Sequence, residues 1–146
     1  MKGLQLAAIG NCAVASLITG DARHVWFSFP RLDGDPVFSS LLAGENAERG
    51  FMDVCVRDVA RRSQAYVANT AVLETLIADA HGGEVRITDF APRHERYGRS
   101  FRPPTIVRRI EAVSGRPRIR VRIRPMFDYG ETLPAISFGR DRKSVV

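Results

Sequence analysis

The sequence predicts an all-β protein, an antiparallel β-sandwich with one short helix. Three features of its 146 residues favour this class. Apolar and polar residues alternate along many short segments, which is the two-residue period of a half-buried strand. Twelve glycines and eight prolines supply frequent turns between these segments. Only one segment carries good start and stop signals for a helix, and no internal repeat of about 20 to 50 residues is present.

The first three strands are predicted near the N-terminus. Residues 4–9 and 13–19 are short apolar segments joined by a Gly-Asn turn. Gly20 and Asp21 then turn the chain into a third strand over residues 24–29. Bulky side chains occupy both alternating sets of this strand, Val25, Phe27 and Phe29 on one side and His24, Trp26 and Ser28 on the other. We therefore expect both of its faces to be covered.

The one short helix is predicted directly after these strands. Asp35 is placed to cap its N-terminus, because a carboxylate accepts hydrogen bonds from the free N–H groups of a first helical turn. Pro36 suits the first helical position, and Gly44 is suited to end the helix. The apolar side of the helix is formed by Phe38, Leu41 and Leu42.

The middle of the chain predicts three more strands. Residues 51–58 alternate, with Met52, Val54 and Val56 on one face and Asp53, Cys55 and Arg57 on the other. Tyr66 to Ala78 is the longest strand candidate. Residues 85–90 form the returning strand after His81-Gly82-Gly83, a sequence typical of a hairpin turn.

A last hairpin is predicted from residues 106–113 and 119–126, joined through Ser114 and Gly115. In its second strand one face carries Arg118, Arg120, Arg122 and Arg124, and the other carries Ile119, Val121 and Ile123. No aromatic residue stands between the arginines to stack on bases, which disfavours a nucleic-acid site. We expect these arginines to pair with carboxylates such as Glu84, Asp89 or Glu111, or with protein beyond this chain. The residues expected to point into the core are Val54, Leu73, Ile87 and Val121.

Composition and charge narrow the functional class. Hydrophobic residues make up 45% and charged residues 26% of the chain, which is typical of a folded globular protein. No apolar run approaches the roughly 18 to 20 residues that span a bilayer, so no membrane partner is expected. The net charge of +6 raises nucleic acid or an anionic surface as partners. The excess is arginine, which suits carboxylate pairing at interfaces, and a basic chain of this kind fits one part of a larger, balanced protein.

The N-terminal residues do not match a secretory signal. Gly10, Asn11 and Cys12 interrupt the apolar run that follows Lys2, and no small-residue cleavage site comes after it. We therefore expect a cytoplasmic protein whose cysteines, Cys12 and Cys55, remain thiols. A disulfide between them is the less favoured alternative.

Neither a metal site, a cofactor site nor a nucleophile is indicated by the residue pattern. The three histidines and two cysteines lack C-x-x-C and H-x-x-x-H spacing. G-x-S-x-G and phosphate-binding glycine loops are also absent from the sequence. Asp33 and Asp35 lie two residues apart on a loop and could form a carboxylate pair, but a turn residue and a helix cap explain them better than acid–base catalysis. No catalytic residue is therefore assigned.

Six runs, in order along the chain, carry a resemblance to a known family. They are Ile9-Gly10-Asn11-Cys12, Phe29 to Phe38 (FPRLDGDPVF), Tyr66 to Thr75 (YVANTAVLET), Ile87 to Pro92 (ITDFAP), Val107 to Ile110 (VRRI) and Arg118 to Gly130 (RIRVRIRPMFDYG). Together they resemble the N-terminal domain of bacterial glycoside hydrolase family 15, the trehalase-like and glucoamylase-like enzymes. The resemblance covers nearly all of residues 1–146.

The resemblance implies that the chain is part of a larger two-sheet sandwich that packs against a following helical catalytic barrel. Family members hydrolyse α-linked glucosides with inversion of configuration. They use two carboxylates of the barrel that lie about 6.5 to 9.5 Å apart. None of the six runs supplies either carboxylate, so we expect the chain alone to be inactive. Residues 139–146 lack the apolar strand expected there, which favours truncation before the barrel over a divergent stand-alone domain. Preference for trehalose or for α-glucans stays open.

The loop from Pro30 to Phe38 is the best functional candidate in the sequence. It is polar and presents Arg31 and Asp33. The resemblance implies that it faces the catalytic domain and the mouth of the sugar pocket, and the residues assigned to it are Pro30, Arg31, Asp33 and Asp35. Trp26, the only tryptophan, is suited to stack on a sugar ring, although core packing is the favoured alternative.

Rival functions for the whole chain are a stand-alone carbohydrate-binding module, which needs an exposed aromatic platform, and an anion or nucleic-acid binder. In the favoured hypothesis the partners are the catalytic barrel and trehalose or an α-glucan. Strand edges left open by truncation also lead us to expect self-association.

Overall fold

The fold is an antiparallel β-sandwich, which confirms the predicted class. A computed structural model describes residues 5–44 and 46–137. Its strands, in chain order, are β1 (Leu6–Gly10), β2 (Ala15–Thr19), β3 (His24–Ser28), β4 (Pro36–Phe38), β5 (Phe51–Val56), β6 (Val59–Tyr66), β7 (Leu73–Asp79), β8 (Glu84–Phe90), β9 (His94–Arg96), β10 (Arg99–Phe101), β11 (Val107–Ser114) and β12 (Ile119–Arg124). The helical elements are α1 (Ser40–Ala43) and a short 3-10 turn at Asp128–Gly130.

Two sheets form the sandwich. The larger sheet has the order β1-β2-β3-β5-β12, with β4 also beside β3, and the smaller has the order β11-β8-β7-β6. β9 and β10 form a separate hairpin. The first three strands, the strand over residues 51–58 and the hairpin turn at residues 81–83 are found where the sequence predicts them.

The core lies between the two sheets. Val54 on β5, Leu73 on β7 and Ile87 on β8 are 3%, 1% and 0% exposed, and so point inward as predicted. Val121 faces the same way, but the expectation that it is a core residue is wrong, because it is 44% exposed. Its Cα lies opposite that of Val54, so the two side chains share the inner face of the larger sheet. β12 is the edge strand, and the smaller sheet does not cover it.

A β-bulge changes the faces of β3. Phe27 is paired with Ser16, Trp26 with Leu17, and His24 with Ile18, so one residue of β3 has no partner residue on β2. His24 and Phe27 therefore both point into the sandwich, where a strict alternation would place them on opposite faces. Both faces of β3 are largely buried, as expected.

The predicted helix begins later than its sequence signals indicate. Pro36–Phe38 is the strand β4, and the helix spans only Ser40–Ala43 before Gly44. Phe38 is 5% exposed and packs in a cluster with Val14 and Phe27. Burial of this ring in a strand outweighs the local helix signals, so the assignment of Asp35 as a helix cap is wrong.

The long strand predicted over residues 66–78 is interrupted. Residues 67–72 form a turn between β6 and β7, closed by a hydrogen bond from Val67 N–H to the Val72 carbonyl at 2.9 Å. Asn69 has a φ of 60° there, in the left-handed region that asparagine tolerates better than most residues.

The prediction of a hairpin over residues 106–126 is also wrong. β11 pairs with β8 in the smaller sheet, whereas β12 pairs with β5 in the larger one. Arg122 therefore forms its ion pair with Asp53 on β5, with Nη2 and Oδ2 2.6 Å apart. The predicted partners Glu84, Asp89 and Glu111 pair instead with Arg61, Arg108 and Arg109, at 3.2, 2.6 and 2.7 Å.

Side chains seal one side of the sandwich, where β1 and β6 are the outer strands. The Tyr66 hydroxyl accepts the Ala8 N–H and donates to the Ala8 carbonyl, both at 2.8 Å. Gln64 donates to the Thr19 carbonyl at 3.0 Å. The opposite side, formed by β11 and β12, leaves apolar side chains exposed.

Three expectations concern parts of the chain outside the core. Cys12 and Cys55 are free and exposed. Within residues 5–44 and 46–137, none of the helices has both the length and the apolar character needed to cross a membrane. The tail at residues 139–146, where no apolar strand was predicted, lies outside the described residues.

Candidate functional site

The candidate loop is a compact connection between β3 and β4. The Phe29 N–H donates to the Asp35 carbonyl at 3.4 Å, and the Gly34 N–H donates to the Arg31 carbonyl at 3.0 Å. Asp33 is thus a turn residue, as the sequence predicts. A side chain at Gly34 would bring a Cβ within 2.9 Å of the Phe29 carbonyl oxygen. Glycine is required there by this close approach of the backbone.

Asp35 joins this loop to a distant part of the chain. Its Oδ2 accepts the Asp128 N–H at 2.7 Å, and its Oδ1 accepts the Tyr129 N–H at 3.1 Å. Asp128 and Tyr129 have φ values of 51° and 56°, in the left-handed region. The two carboxylate hydrogen bonds hold this uncommon backbone conformation, because charged acceptors form the stronger hydrogen bonds.

The turn that Asp35 holds is closed by its own backbone. The Phe127 N–H donates to the Thr132 carbonyl at 2.9 Å, and the Thr132 N–H donates back at 3.1 Å. The Met126 N–H donates to the Val37 carbonyl at 2.9 Å, which attaches the start of the turn to β4. Residues 29–35 and 127–132 therefore form one continuous structure, which we call the loop–turn surface.

The loop–turn surface exposes apolar and aromatic side chains. Phe29, Leu32, Phe127 and Tyr129 are 45%, 53%, 43% and 62% exposed. The Phe29 ring is anchored against Phe27, with centroids 6.2 Å apart. Exposed aromatic rings on a fixed backbone are typical of surfaces that bind another molecule.

A single exposed ion pair lies among these side chains. Arg31 donates from Nε and Nη2 to the two carboxylate oxygens of Asp33, at 2.9 and 2.7 Å. Both oxygens of Asp33 are thus occupied by Arg31, and both oxygens of Asp35 by backbone N–H groups. The two carboxylates shape the loop, and together they are not arranged as an acid–base pair.

The structure brings together four of the five predicted site residues, Pro30, Arg31, Asp33 and Asp35. Trp26 lies in the middle of β3, half-buried and opposite Leu17 on the outer face of the larger sheet, so it is neither in the loop nor in the core. Sequence reasoning missed Phe127, Asp128 and Tyr129 as members of the site. Their run, Phe-Asp-Tyr-Gly, was part of the motif pattern, but no local signal connects it to Asp35.

A Ser-His-Asp constellation lies inside the sandwich. Ser16 Oγ is 2.7 Å from His24 Nδ1, and His24 Nε2 is 3.4 Å from Asp89 Oδ1. In a hydrolase triad the serine contacts Nε2 and the aspartate contacts Nδ1, so the ring is reversed here. The three residues are 0%, 1% and 0% exposed, which leaves no path for a substrate. This network is structural and joins the two sheets.

The family model described as trehalase-like, N-terminal matches residues 4–146. The chain belongs to this family. It is 30% identical to a trehalase of Thermoplasma volcanium, in an alignment covering 94% of this chain and 23% of that protein. It is 31% identical to trehalase 1 of Sulfolobus acidocaldarius, covering 93% of this chain and 22% of that protein. No solved structure matches the chain significantly.

This trehalase-like N-terminal domain therefore spans less than a quarter of the two named relatives. Both relatives are archaeal, whereas the resemblance carried by the sequence motifs was to bacterial proteins. The family match confirms the trehalase-like resemblance, and it includes every residue of the loop–turn surface.

Proposed function

We propose that this chain is the non-catalytic N-terminal domain of a trehalase-like hydrolase of glycoside hydrolase family 15, whose catalytic barrel lies outside these 146 residues. The domain packs on the barrel and helps to shape its sugar pocket. The family match over residues 4–146 supports this proposal, as does the small share of each trehalase that the chain covers.

The observation that carries the proposal is the loop–turn surface. Asp35 holds its own loop and the turn at Asp128 and Tyr129, 93 and 94 residues further along the chain, in one conformation. The exposed rings of Phe29 and Tyr129 belong to these two segments. Preorganised aromatic side chains contribute much of the affinity at protein interfaces, because little conformational entropy is lost on docking.

The experiment measures binding between this chain and the rest of its parent protein, produced separately. We expect the double variant Phe29→Ala, Tyr129→Ala to bind at least about tenfold more weakly, since each anchor typically contributes over about 1 kcal/mol. Tyr97→Ala is the matched control, because Tyr97 is 87% exposed but lies on the β9–β10 turn. Equal loss in both variants, or no association of the wild-type pair, would refute the proposal.

The isolated chain is expected to release no glucose from trehalose or maltose. The acid and base carboxylates that an inverting glycosidase needs lie in the barrel under this proposal. A glucose assay on the repurified chain tests this expectation. Activity that persists through repurification and disappears in Asp33→Ala would contradict it.

A stand-alone carbohydrate-binding module is the second candidate function. The exposed Phe29 and Tyr129 rings favour it, because aromatic faces can stack on the apolar faces of sugar rings. The two functions differ in their requirement for the barrel. Saturable binding of trehalose or a glucan by the isolated chain, lost in Tyr129→Ala, would favour the module.

A further inference from the structure

Three turns meet at one end of the sandwich and line a charged, partly open pocket of about 310 Å³. They are the β5–β6 turn at residues 57–58, the β7–β8 turn at residues 79–83 and the β11–β12 connection at residues 115–118. The side chains that line it are Arg57, Asp58, Asp79, His81, Arg116 and Arg118. We call this site the turn-cluster pocket. It shares no residue with the loop–turn surface.

Backbone hydrogen bonds fix the three turns relative to one another. The Ala80 N–H donates to the Asp58 carbonyl at 2.8 Å, which ties the second turn to the first. The Arg57 N–H donates to the Arg118 carbonyl at 3.0 Å, which ties the first turn to the β11–β12 connection. Both ties involve main-chain atoms, so the pocket has a defined shape without any ligand.

Glycines let the second and third turns approach closely. A Cβ at Gly115 would lie 2.8 Å from the Gly82 carbonyl oxygen, and Gly115 has a φ of 62°. A Cβ at Gly83 would lie 3.1 Å from the Pro117 Cα. A side chain at either position would push the arginines of the β11–β12 connection away from the second turn.

The two carboxylates in the pocket are already engaged. Asp79 Oδ1 accepts the Gly83 N–H at 2.7 Å and the His81 N–H at 2.8 Å, and these hydrogen bonds hold the pKa of Asp79 below its usual range. Asp58 Oδ2 lies 3.2 Å from His81 Nε2 and 3.6 Å from Arg57 Nε.

Two arginines in the pocket, Arg116 and Arg118, have no carboxylate partner among the residues that the structure describes. In the part of the chain that the structure describes, none of the ion pairs includes Arg116 or Arg118. Both line the pocket together with Arg57, so three arginines face it against the two engaged carboxylates, Asp58 and Asp79. Guanidinium groups match the geometry of phosphate oxygens and donate to them in pairs.

We propose that the turn-cluster pocket binds an oxyanion of the phosphate class, held by Arg116 and Arg118 with Arg57 beside them. The volume of about 310 Å³ lies at the lower end of small-molecule sites, which run from about 300 to 1,000 Å³. The pocket therefore has room for a small phosphate ester as well as for inorganic phosphate. This inference does not depend on the proposed function, because it rests on another end of the domain.

The test is an NMR titration of the isotope-labelled chain with inorganic phosphate at constant ionic strength. We expect saturable shifts of the backbone amide signals of Asp58, His81, Gly83, Arg116 and Arg118. Parallel titrations with glucose 6-phosphate and with glucose identify the ligand. Tighter binding of the ester indicates a phosphorylated molecule, equal binding indicates phosphate itself, and binding of glucose as strong as that of the ester would overturn the proposal.

A charge-matched pair of variants controls for nonspecific attraction. Arg116→Ala, Arg118→Ala should weaken phosphate binding at least about tenfold, because two charge-assisted contacts are removed. Arg99→Ala, Arg102→Ala removes the same charge near the β9–β10 hairpin and should bind as the wild type does. Thermal unfolding of each variant confirms that it is folded. Similar weakening in both double variants, or shifts that do not saturate, would overturn the proposal.

Discussion

At the scale of single residues, the buried carboxylate of Asp89 links the two sheets. It accepts hydrogen bonds from Arg108 Nε at 2.6 Å and Nη2 at 2.8 Å, and His24 Nε2 lies 3.4 Å away. Asp89 is 0% exposed, and the Arg108 side chain is 3% exposed. A buried carboxylate is tolerated only when it is paired, since desolvation costs several kcal/mol. This network therefore makes the sandwich sensitive to protonation.

The free energy of unfolding should decrease in acid because of His24 and Asp89. Burial lowers the pKa of His24 below its ordinary 6.5, so the unfolded chain binds its proton more readily. The contribution of His24 to the free energy of unfolding is complete above pH 6.5 and decreases as the pH falls below 6.5. Burial by itself favours a higher pKa for Asp89, but the hydrogen bonds from Arg108 and His24 outweigh this effect and hold the pKa below 3.8. The contribution of Asp89 is lost as the pH falls below 3.8 toward its folded-state pKa.

Melting temperatures measured between about pH 7.5 and pH 5 test the His24 part of this prediction. His24→Gln should flatten the dependence on pH, whereas His81→Gln should not, because the His81 side chain is 73% exposed. An unchanged slope in His24→Gln would contradict the prediction.

Leu73 should contribute far more to stability than Arg120 on β12. Leu73 is 1% exposed and packs with Ile9 and Ile18 between the sheets, so Leu73→Ala should cost about 2 to 5 kcal/mol. Arg120 is exposed, and Arg120→Ala should cost under about 1 kcal/mol. Urea denaturation measures both changes. Equal, small effects would show that the assignment of faces is wrong.

At the scale of elements, the Asp35 carboxylate attaches a remote turn to the loop between β3 and β4. Phe127 to Thr132 is a turn whose Asp128 and Tyr129 N–H groups are held by Asp35, and Met126, just before the turn, is bonded to Val37 on β4. The carboxylate holds two N–H groups that would otherwise bind water. The conformation of the turn therefore depends on one side chain from a remote loop.

Asp35→Ala should loosen the turn while the sheets remain folded. Hydrogen bonds to charged groups contribute about 1.5 to 3 kcal/mol, so amide exchange at Asp128 and Tyr129 should accelerate roughly tenfold to hundredfold. Asp33→Ala is the control, because it removes a carboxylate from the same loop that contacts only the exposed Arg31. Unchanged exchange in Asp35→Ala, or equal acceleration in Asp33→Ala, would contradict this role.

At the scale of the whole molecule, the two sides of the sandwich differ. Tyr66, Gln64 and their partners close the side of β1 and β6. On the other side β12 is the edge strand among residues 5–44 and 46–137, and its Ile119, Val121 and Ile123 are 43%, 44% and 55% exposed. A free strand edge with apolar side chains favours association with another chain.

The isolated chain should therefore self-associate or bind hydrophobic dyes through the β12 side. Its net charge of +6 opposes association, but salt screens this repulsion beyond about 8 to 10 Å at physiological ionic strength. Sedimentation velocity and light scattering across salt concentrations should show larger species as the salt concentration rises.

Matched lysine substitutions locate the interface. Ile123→Lys should restore a monomer, because it places a charge on the open edge. Leu42→Lys adds the same charge to α1, where Leu42 is 65% exposed, and should leave association unchanged. A monodisperse wild-type monomer that melts cooperatively and binds no dye would instead favour a complete, self-sufficient domain and the carbohydrate-binding module.

The sequence by itself determined the fold class, most strand positions and the family. A two-residue alternation records which segments are half-buried strands, and Gly, Asn and Pro record where the chain turns. Both signals are local, so β1, β2, β3, β5 and the turn at residues 81–83 could be predicted. Of the site, sequence reasoning found the loop but not its partner turn.

Only the tertiary structure decided which elements meet. β11 and β12 are adjacent in sequence but belong to different sheets, and Val121 has the pattern of a core residue yet lies beyond the covering sheet. Asp35 has the position of a helix cap, but its carboxylate binds N–H groups 93 and 94 residues away. The physical reason is that strand pairing and burial are set by contacts between distant segments, and these override local propensity whenever they bury more apolar surface.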